Sequence, residues 1–244
     1  MLRHKPEKYG YLPDGAPPPL PERLSHDAGK VQQDTAQTDG SFSTIEAIRS
    51  RAFWLIALGH ASAVWTVAAV SLHVVPHLVE QLSMSLEAAG GIVALMLMVT
   101  VVGRVVGGFL ADRINKRVVL VACMFSHTLG LLMLAYATSM VYVFSFAIFH
   151  GLAWGARVPA QISIRADYFG RKSIGLILGI SSIVPTAAAV VAPIFAGWMA
   201  DVLGDYRLAF TILAILTAFG ALFFAFASKP TRKYHAVSDG QMVT

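Results

Sequence analysis

The stretch "GRVVGGFLADRINKR" (residues 103–117) lies where a long apolar run gives out. It holds paired glycines at 107 and 108, one carboxylate at Asp112, and three close cations, Arg113, Lys116 and Arg117. Two chemistries use such a run. A soluble enzyme cradles a phosphate on a glycine-rich turn, whereas a membrane protein anchors a loop at the water boundary. The order Gly-x4-Gly-Lys-Ser/Thr of a phosphate loop is absent. The surrounding composition decides for the second.

Of 244 residues, 56% are hydrophobic and only 14% charged, against roughly a quarter charged in soluble domains. That is too little polar surface to cover a globule in water. Apolar segments follow one another at about 53–78, 87–111, 118–138, 141–164, 174–199 and 207–228. Each reaches the ~20 residues that cross about 30 Å of hydrocarbon. They are continuous rather than alternating, which favours helices over barrel strands. The expected fold is therefore all-α, a polytopic membrane protein with six transmembrane helices.

Outside these spans, residues 1–42 are rich in Pro, Gly, Gln and Asp and read as a disordered cytoplasmic linker. Residues 43–52 read as an amphipathic interfacial segment, with Ser43 or Thr44 as its cap. Residues 53–228 form the transmembrane domain and 229–244 a cytoplasmic tail. The single cysteine, Cys123, leaves no intrachain disulfide and fits a small buried hydrophobe.

Lysine and arginine set the orientation. Arg49 and Arg51 precede the first span, and Arg113, Lys116 and Arg117 lie between the second and third. Arg165, Arg171 and Lys172 lie between the fourth and fifth, and Lys229, Arg232 and Lys233 follow the sixth. The alternate loops hold Glu80, Glu87, Asp201 and Asp205 with a single Arg207. The positive-inside rule puts both termini in the cytoplasm of a multi-pass inner (plasma) membrane protein. The net charge of +5 thus serves orientation, and no nucleic-acid partner is expected. Two of the cationic loops also echo each other: "ADRINKR" (111–117) and "ADYFGRK" (166–172) share Ala-Asp, a turn residue and two cations. The echo points to a three-plus-three helix arrangement.

At this point the chain resembles a known family. "GGFLADRINKR" resembles the loop signature Gly-x-Leu-Ala-Asp-Arg-x-Gly-Arg-Lys of the major facilitator superfamily through Gly108, Leu110, Ala111, Asp112, Arg113, Lys116 and Arg117, departing at Asn115. "APIFAGWMAD" (192–201) is similar to a fifth or eleventh facilitator helix. "GLAWGARVPAQISIRADYFGRKSIGLILG" (151–179) resembles the oxalate/formate-antiporter and monocarboxylate-carrier-like branch. "KPEKYGYLPDG" (5–15) looks like the connector after the sixth helix of such carriers. Facilitators of this kind have twelve helices, so the resemblance implies a C-terminal six-helix half whose partner is a separate or missing N-terminal half, or a second copy of itself.

The resemblance further implies that the first and fourth spans line a central cavity. On the fourth, His150, Trp154, Arg157 and Gln161 fall at i, i+4, i+7 and i+11, on one helical face. Arg157 is the candidate for attracting an anionic substrate group, His150 for a proton or hydrogen bond, and Trp154 for shaping the cavity. The plainer alternative is that Arg157 snorkels or pairs structurally. On the first span, His60 and Trp65 are cavity candidates. His73 and His77 stand four apart with Pro76 between them and no third metal ligand, so they read as interfacial. His127, on a span that faces outward in the family, reads as a packing histidine, with proton coupling as the alternative.

Arg104 either meets a carboxylate of the other half at a cytoplasmic gate or snorkels. Asp112 is placed to meet the N-terminus of the fifth span and, with Arg113, to latch the cytoplasmic side. Gly103 with Gly107, and Gly151 with Gly155, make small-xxx-small pairs for close helix approach. No zinc motif, redox cysteine pair or nucleophile elbow is present, so neither an enzyme nor a cofactor or metal site is expected. The expected function is secondary transport of a small solute, an organic anion such as a mono- or dicarboxylate. The alternatives are a non-transporting membrane fragment or interaction partner, and a homodimerising six-helix carrier.

Overall fold

The structure is a computed structural model, and it describes residues 41–231. The linker expected over 1–42, with its connector-like stretch 5–15, lies outside the described residues apart from Ser41 and Phe42, as does the tail beyond Thr231. The described chain is helical: α1 (Thr44–Arg49), α2 (Arg51–Pro76), α3 (Leu86–Arg113), α4 (Lys116–Ala135), α5 (Met140–Phe169), α6 (Ile174–Ser181), α7 (Ile183–Leu203) and α8 (Arg207–Phe226). Six spans among them, with α6 and α7 counted together, are long and apolar enough to cross a membrane.

Local chemistry sets the ends. Ser43 and Glu46 close a reciprocal capping box on α1, and Asn115 caps α4 by accepting from Arg117 N–H at 3.0 Å. Pro76 has no N–H, and beyond it α2 widens into a π-helical turn, His77–Gln81. The fifth span, expected as one helix over 174–199, is two. Pro185 cannot donate to the Ser181 carbonyl. The serine hydroxyls turn back instead, Ser181 onto Leu178 O (3.1 Å) and Ser182 onto Gly179 O (2.6 Å). The helix breaks at Ser182.

In the bundle, α2 packs along α7 and α8, α5 packs along α3 and α4, and α4 packs along α8. Exchanging α2 with α5, α3 with α7 and α4 with α8 leaves this pattern unchanged, so two helix triplets are related by symmetry. Because α2 and α5 start at opposite ends of the bundle, the triplets are inverted. This three-plus-three order is not the one the echoing loops marked. The loop equivalent to "ADRINKR" joins α7 to α8 at the far end, whereas "ADYFGRK" joins α5 to α6.

The cation-bearing loops gather at one end. Phe42 N–H donates to Phe169 O (2.9 Å), Tyr168 O–H donates to Ala227 O (2.7 Å), and Lys116 pairs with Asp167 at 2.7 Å. At the other end Gln81 donates to Gly204 O at 3.0 Å. His73 and His77 serve as structural pins there. His73 Nε2–H donates to Pro193 O (2.9 Å) and its Nδ1 accepts from Tyr206 (3.2 Å), while His77 Nε2–H donates to Leu134 O (3.1 Å). The outer faces of α3 and α7 present Val101, Val105, Phe109, Val190, Ile194 and Trp198, as helices in contact with lipid or partner helices do.

The tightest seam joins α3 to α5. A Cβ on Gly103 would lie 2.7 Å from Leu152 O, and one on Gly151 2.7 Å from Met96 O. Gly107 would meet the Ala156 backbone and Gly155 the Thr100 carbonyl, closer still. Backbone thus touches backbone, as the glycine spacing predicts. Gly108, one residue from Gly107, has no such neighbour. Gly155→Leu therefore forces the helices apart and destabilises the bundle by about 1–3 kcal/mol or more, whereas Gly108→Leu stays within about 0.5 kcal/mol. Thermal unfolding and size-exclusion chromatography of both variants check this; equal behaviour would contradict the seam.

Candidate functional site

A cleft of about 410 Å³ opens between α2, α5 and the α6–α7 break. Its lining includes His60 from α2, Trp154, Arg157, Gln161 and Arg165 from α5, and Ser181 and Ser182 from the break. Four of the six cavity candidates thus come together. Trp65 does not line the cleft. It turns toward α7, its ring 6.2 Å from that of Phe195, and its indole nitrogen is buried without a partner. His150 does not line the cleft either: it is fully buried one to two turns earlier on the same stripe, where its Nδ1 lies 3.2 Å from that of His127 on α4.

Arg157 lies near the middle of the 30-residue α5, about 18 Å of helix from its end at 1.5 Å per residue. Its side chain is only 2% exposed, so it does not snorkel to the surface. Arg157 Nη1–H donates to Gln161 Oε1 at 2.9 Å, while its Nε has no partner. Sequence reasoning counted Arg165 as a loop cation, but α5 continues to Phe169 and holds it inside, 3% exposed. Arg165 donates to Gln161 O (3.1 Å) and reaches His60 Nδ1 at 3.4 Å. It sits at i+8 from Arg157, so continuing the Arg157–Gln161 stripe by one turn would have found it.

The site is therefore rich in donors and positive charge. Each guanidinium offers five N–H donors and stays charged. Among the described residues, neither arginine has a carboxylate within ion-pair distance; the ion pair formed there, Lys116–Asp167, lies at the loops. The Gln161 amide nitrogen is also buried and unpartnered. A buried charge without a counter-charge costs several kcal/mol, and an intramembrane charge faces a cavity or a partner.

The gate-loop candidates fall outside the cleft. Arg104 and Asp112 are exposed and make no hydrogen bond or ion pair among the described residues. Asp112 does not cap the fifth span: α6 packs on α1, α2, α5 and α7, with α3 not among its main neighbours. Arg113 lies over the Phe109 ring at 4.0 Å from its centre. Lys116 joins the two echoing loops through Asp167, a brace within one bundle because α4 and α5 pack together. Arg117 is half-buried beside it, and Gly108 has open space where a Cβ would be.

Comparison with known proteins adds the lineage. Residues 38–241 match the Major Facilitator Superfamily. The chain is 28% identical over 97 residues to a multidrug resistance protein B homolog of Mycobacterium tuberculosis, covering 40% of this chain and 18% of that protein. It is 30% identical over 90 residues to the minor myo-inositol transporter IolF of Bacillus subtilis, covering 37% of this chain and 20% of that protein. The fold is similar to that of the E. coli fucose:proton symporter FucP, with a TM-score of 0.63 and 20% identity over 79% of this chain and 47% of that one. The matches thus span about a fifth of the curated relatives and under half of the solved structure. With its six apolar spans and the match over most of its length, this multi-pass membrane chain belongs to the major facilitator superfamily.

Proposed function

We propose that the chain forms one six-helix half of a secondary transporter that carries a small organic anion, a mono- or dicarboxylate, by alternating access. The observation that carries the substrate class is the buried pair Arg157 and Arg165 without a carboxylate. A substrate carboxylate supplies the missing charge and accepts from both guanidiniums, and Gln161, Ser181 and Ser182 offer further polar contacts. The resemblance of 151–179 to the oxalate/formate branch supports the same class. The names of IolF and FucP favour a second reading, a neutral polyhydroxylated solute. Gln161, the serines and Trp154 suit a polyol, but a polyol leaves both charges uncompensated.

The other half is either a separate N-terminal six-helix unit or a second copy of this chain, since the family's cavity lies between two halves. Arg104 and Asp112, exposed and without partners here, are the residues through which the second half engages the cytoplasmic side. Both termini are cytoplasmic in an inner (plasma) membrane, as the gathering of cations at one bundle end supports.

In proteoliposomes holding the assembled transporter, Arg157→Gln lowers uptake of labelled carboxylates at least about tenfold, and Arg157→Lys retains part of it; undiminished uptake in Arg157→Gln overturns the anion reading. For orientation, Cys123→Ser carrying Asn115→Cys reacts with an impermeant maleimide only from the cytoplasmic side, and Cys123→Ser carrying Asp205→Cys only from the outer side. The reverse pattern contradicts the proposed topology.

A further inference from the structure

Behind the cleft, His127 and His150 face each other with no exposed surface. Their Nδ1 atoms are 3.2 Å apart, and the ring centres 4.6 Å at 71°. A hydrogen bond between two Nδ1 atoms needs one proton between them, so the neutral pair holds opposite tautomers. The ring that donates has a bare Nε2 and its partner carries Nε2–H. Both Nε2 atoms are buried and unpartnered. The pair therefore keeps one open lone pair and one undonated proton in the interior, an arrangement that packing alone would not favour.

We propose that the His127–His150 pair is a proton-binding site linked to the charge state of the substrate cleft. A proton from water adds to the bare Nε2 and no other bond breaks. The pair then carries one positive charge, shared across the Nδ1–H···Nδ1 bond, and returns the proton to water on release. One aromatic ring stands close to that charge: Phe146 lies 5.4 Å from His150, within reach of an attraction between a cation and an aromatic ring. Gly130 gives α4 room, since a Cβ there would stand 3.1 Å from His150 N.

The linkage runs through Arg157, which sits two turns beyond His150 on α5. Arg157 is the charged side chain that acts on both imidazoles. Cys123, one turn from His127 on α4, faces Arg157, and α3 and α8 place no titratable group against either ring. A lone Arg157 opposes a second positive charge nearby. An anion on Arg157, which rests on the function proposed above, removes that opposition. Proton and anion then favour each other's binding by the same factor, so the two travel together as in a proton symport.

The test is ¹⁵N-histidine NMR of the full chain in lipid nanodiscs, with the pair assigned through His127→Asn and His150→Asn. In the unmodified chain the expected result is opposite tautomers coupled through Nδ1, and uptake of one shared proton as the pH falls. Arg157→Gln moves that uptake to a pH higher by about one unit or more, and succinate moves it the same way in the unmodified chain. Identical uncoupled tautomers, no uptake down to about pH 4, or uptake unchanged by Arg157→Gln overturns the proposal. A shift with Arg157→Gln but none with succinate supports the proton site and counts against the carboxylate reading alone. The tautomers and uptake of the unmodified chain need no variant to fold.

Discussion

Burying a guanidinium without a counter-charge costs several kcal/mol even after local relaxation, and α5 buries two. Arg157 and Arg165 lie on the same stripe, share Gln161 through its side-chain and main-chain oxygens, and face a cleft rather than lipid. The helices α3 and α4 pack on the other faces of this helix. On one side of α5, Gly151 and Gly155 let α3 approach to backbone contact. On another, Gly130 lets α4 reach His150. Opposite the arginines, the Ser182 break in the fifth span leaves open volume instead of packed side chains.

The division of labour between the faces of α5 follows from residue size. Glycine and alanine build the seam that holds the helix, and long polar side chains fill the space left where no helix packs. The inverted triplets repeat the logic, since α2 occupies the place equivalent to α5 and supplies His60 from across the cleft. In α2, Thr66 hydrogen-bonds Thr217 of α8 and ties the second triplet to the first. A cleft between the first helices of two triplets belongs to the fold, whereas the identity of its charges belongs to this sequence.

Much of this was legible before the structure. The six spans needed only length and hydropathy, and the glycine pairs needed only four-residue spacing. His60, Trp154, Arg157 and Gln161, singled out from spacing and residue type, line one cleft. Other features were hidden for physical reasons. Arg165 looked like a loop cation because the apolar run gives out just before it and further charges follow, yet the hydrogen-bonded helix runs on to Phe169. The break at Ser182 needed Pro185 to be weighed against an otherwise helical run. His150 shares the Arg157 stripe but lies two turns earlier, where α4 packs against α5, and only the tertiary arrangement supplies His127. The echo between "ADRINKR" and "ADYFGRK" followed the side of the membrane that cations occupy. Inverted repeats place equivalent loops on opposite sides, so the structural repeat and the sequence echo cannot coincide.

The proposed anion would supply the negative charge that the cleft lacks. Thermal unfolding of the purified chain in nanodiscs, with ligands matched in size but not in charge, tests it most directly. Succinate should raise the unfolding temperature, while its neutral diamide and myo-inositol should leave it unchanged. Stabilisation by myo-inositol or the diamide, with none from succinate or any shorter carboxylate, would contradict it.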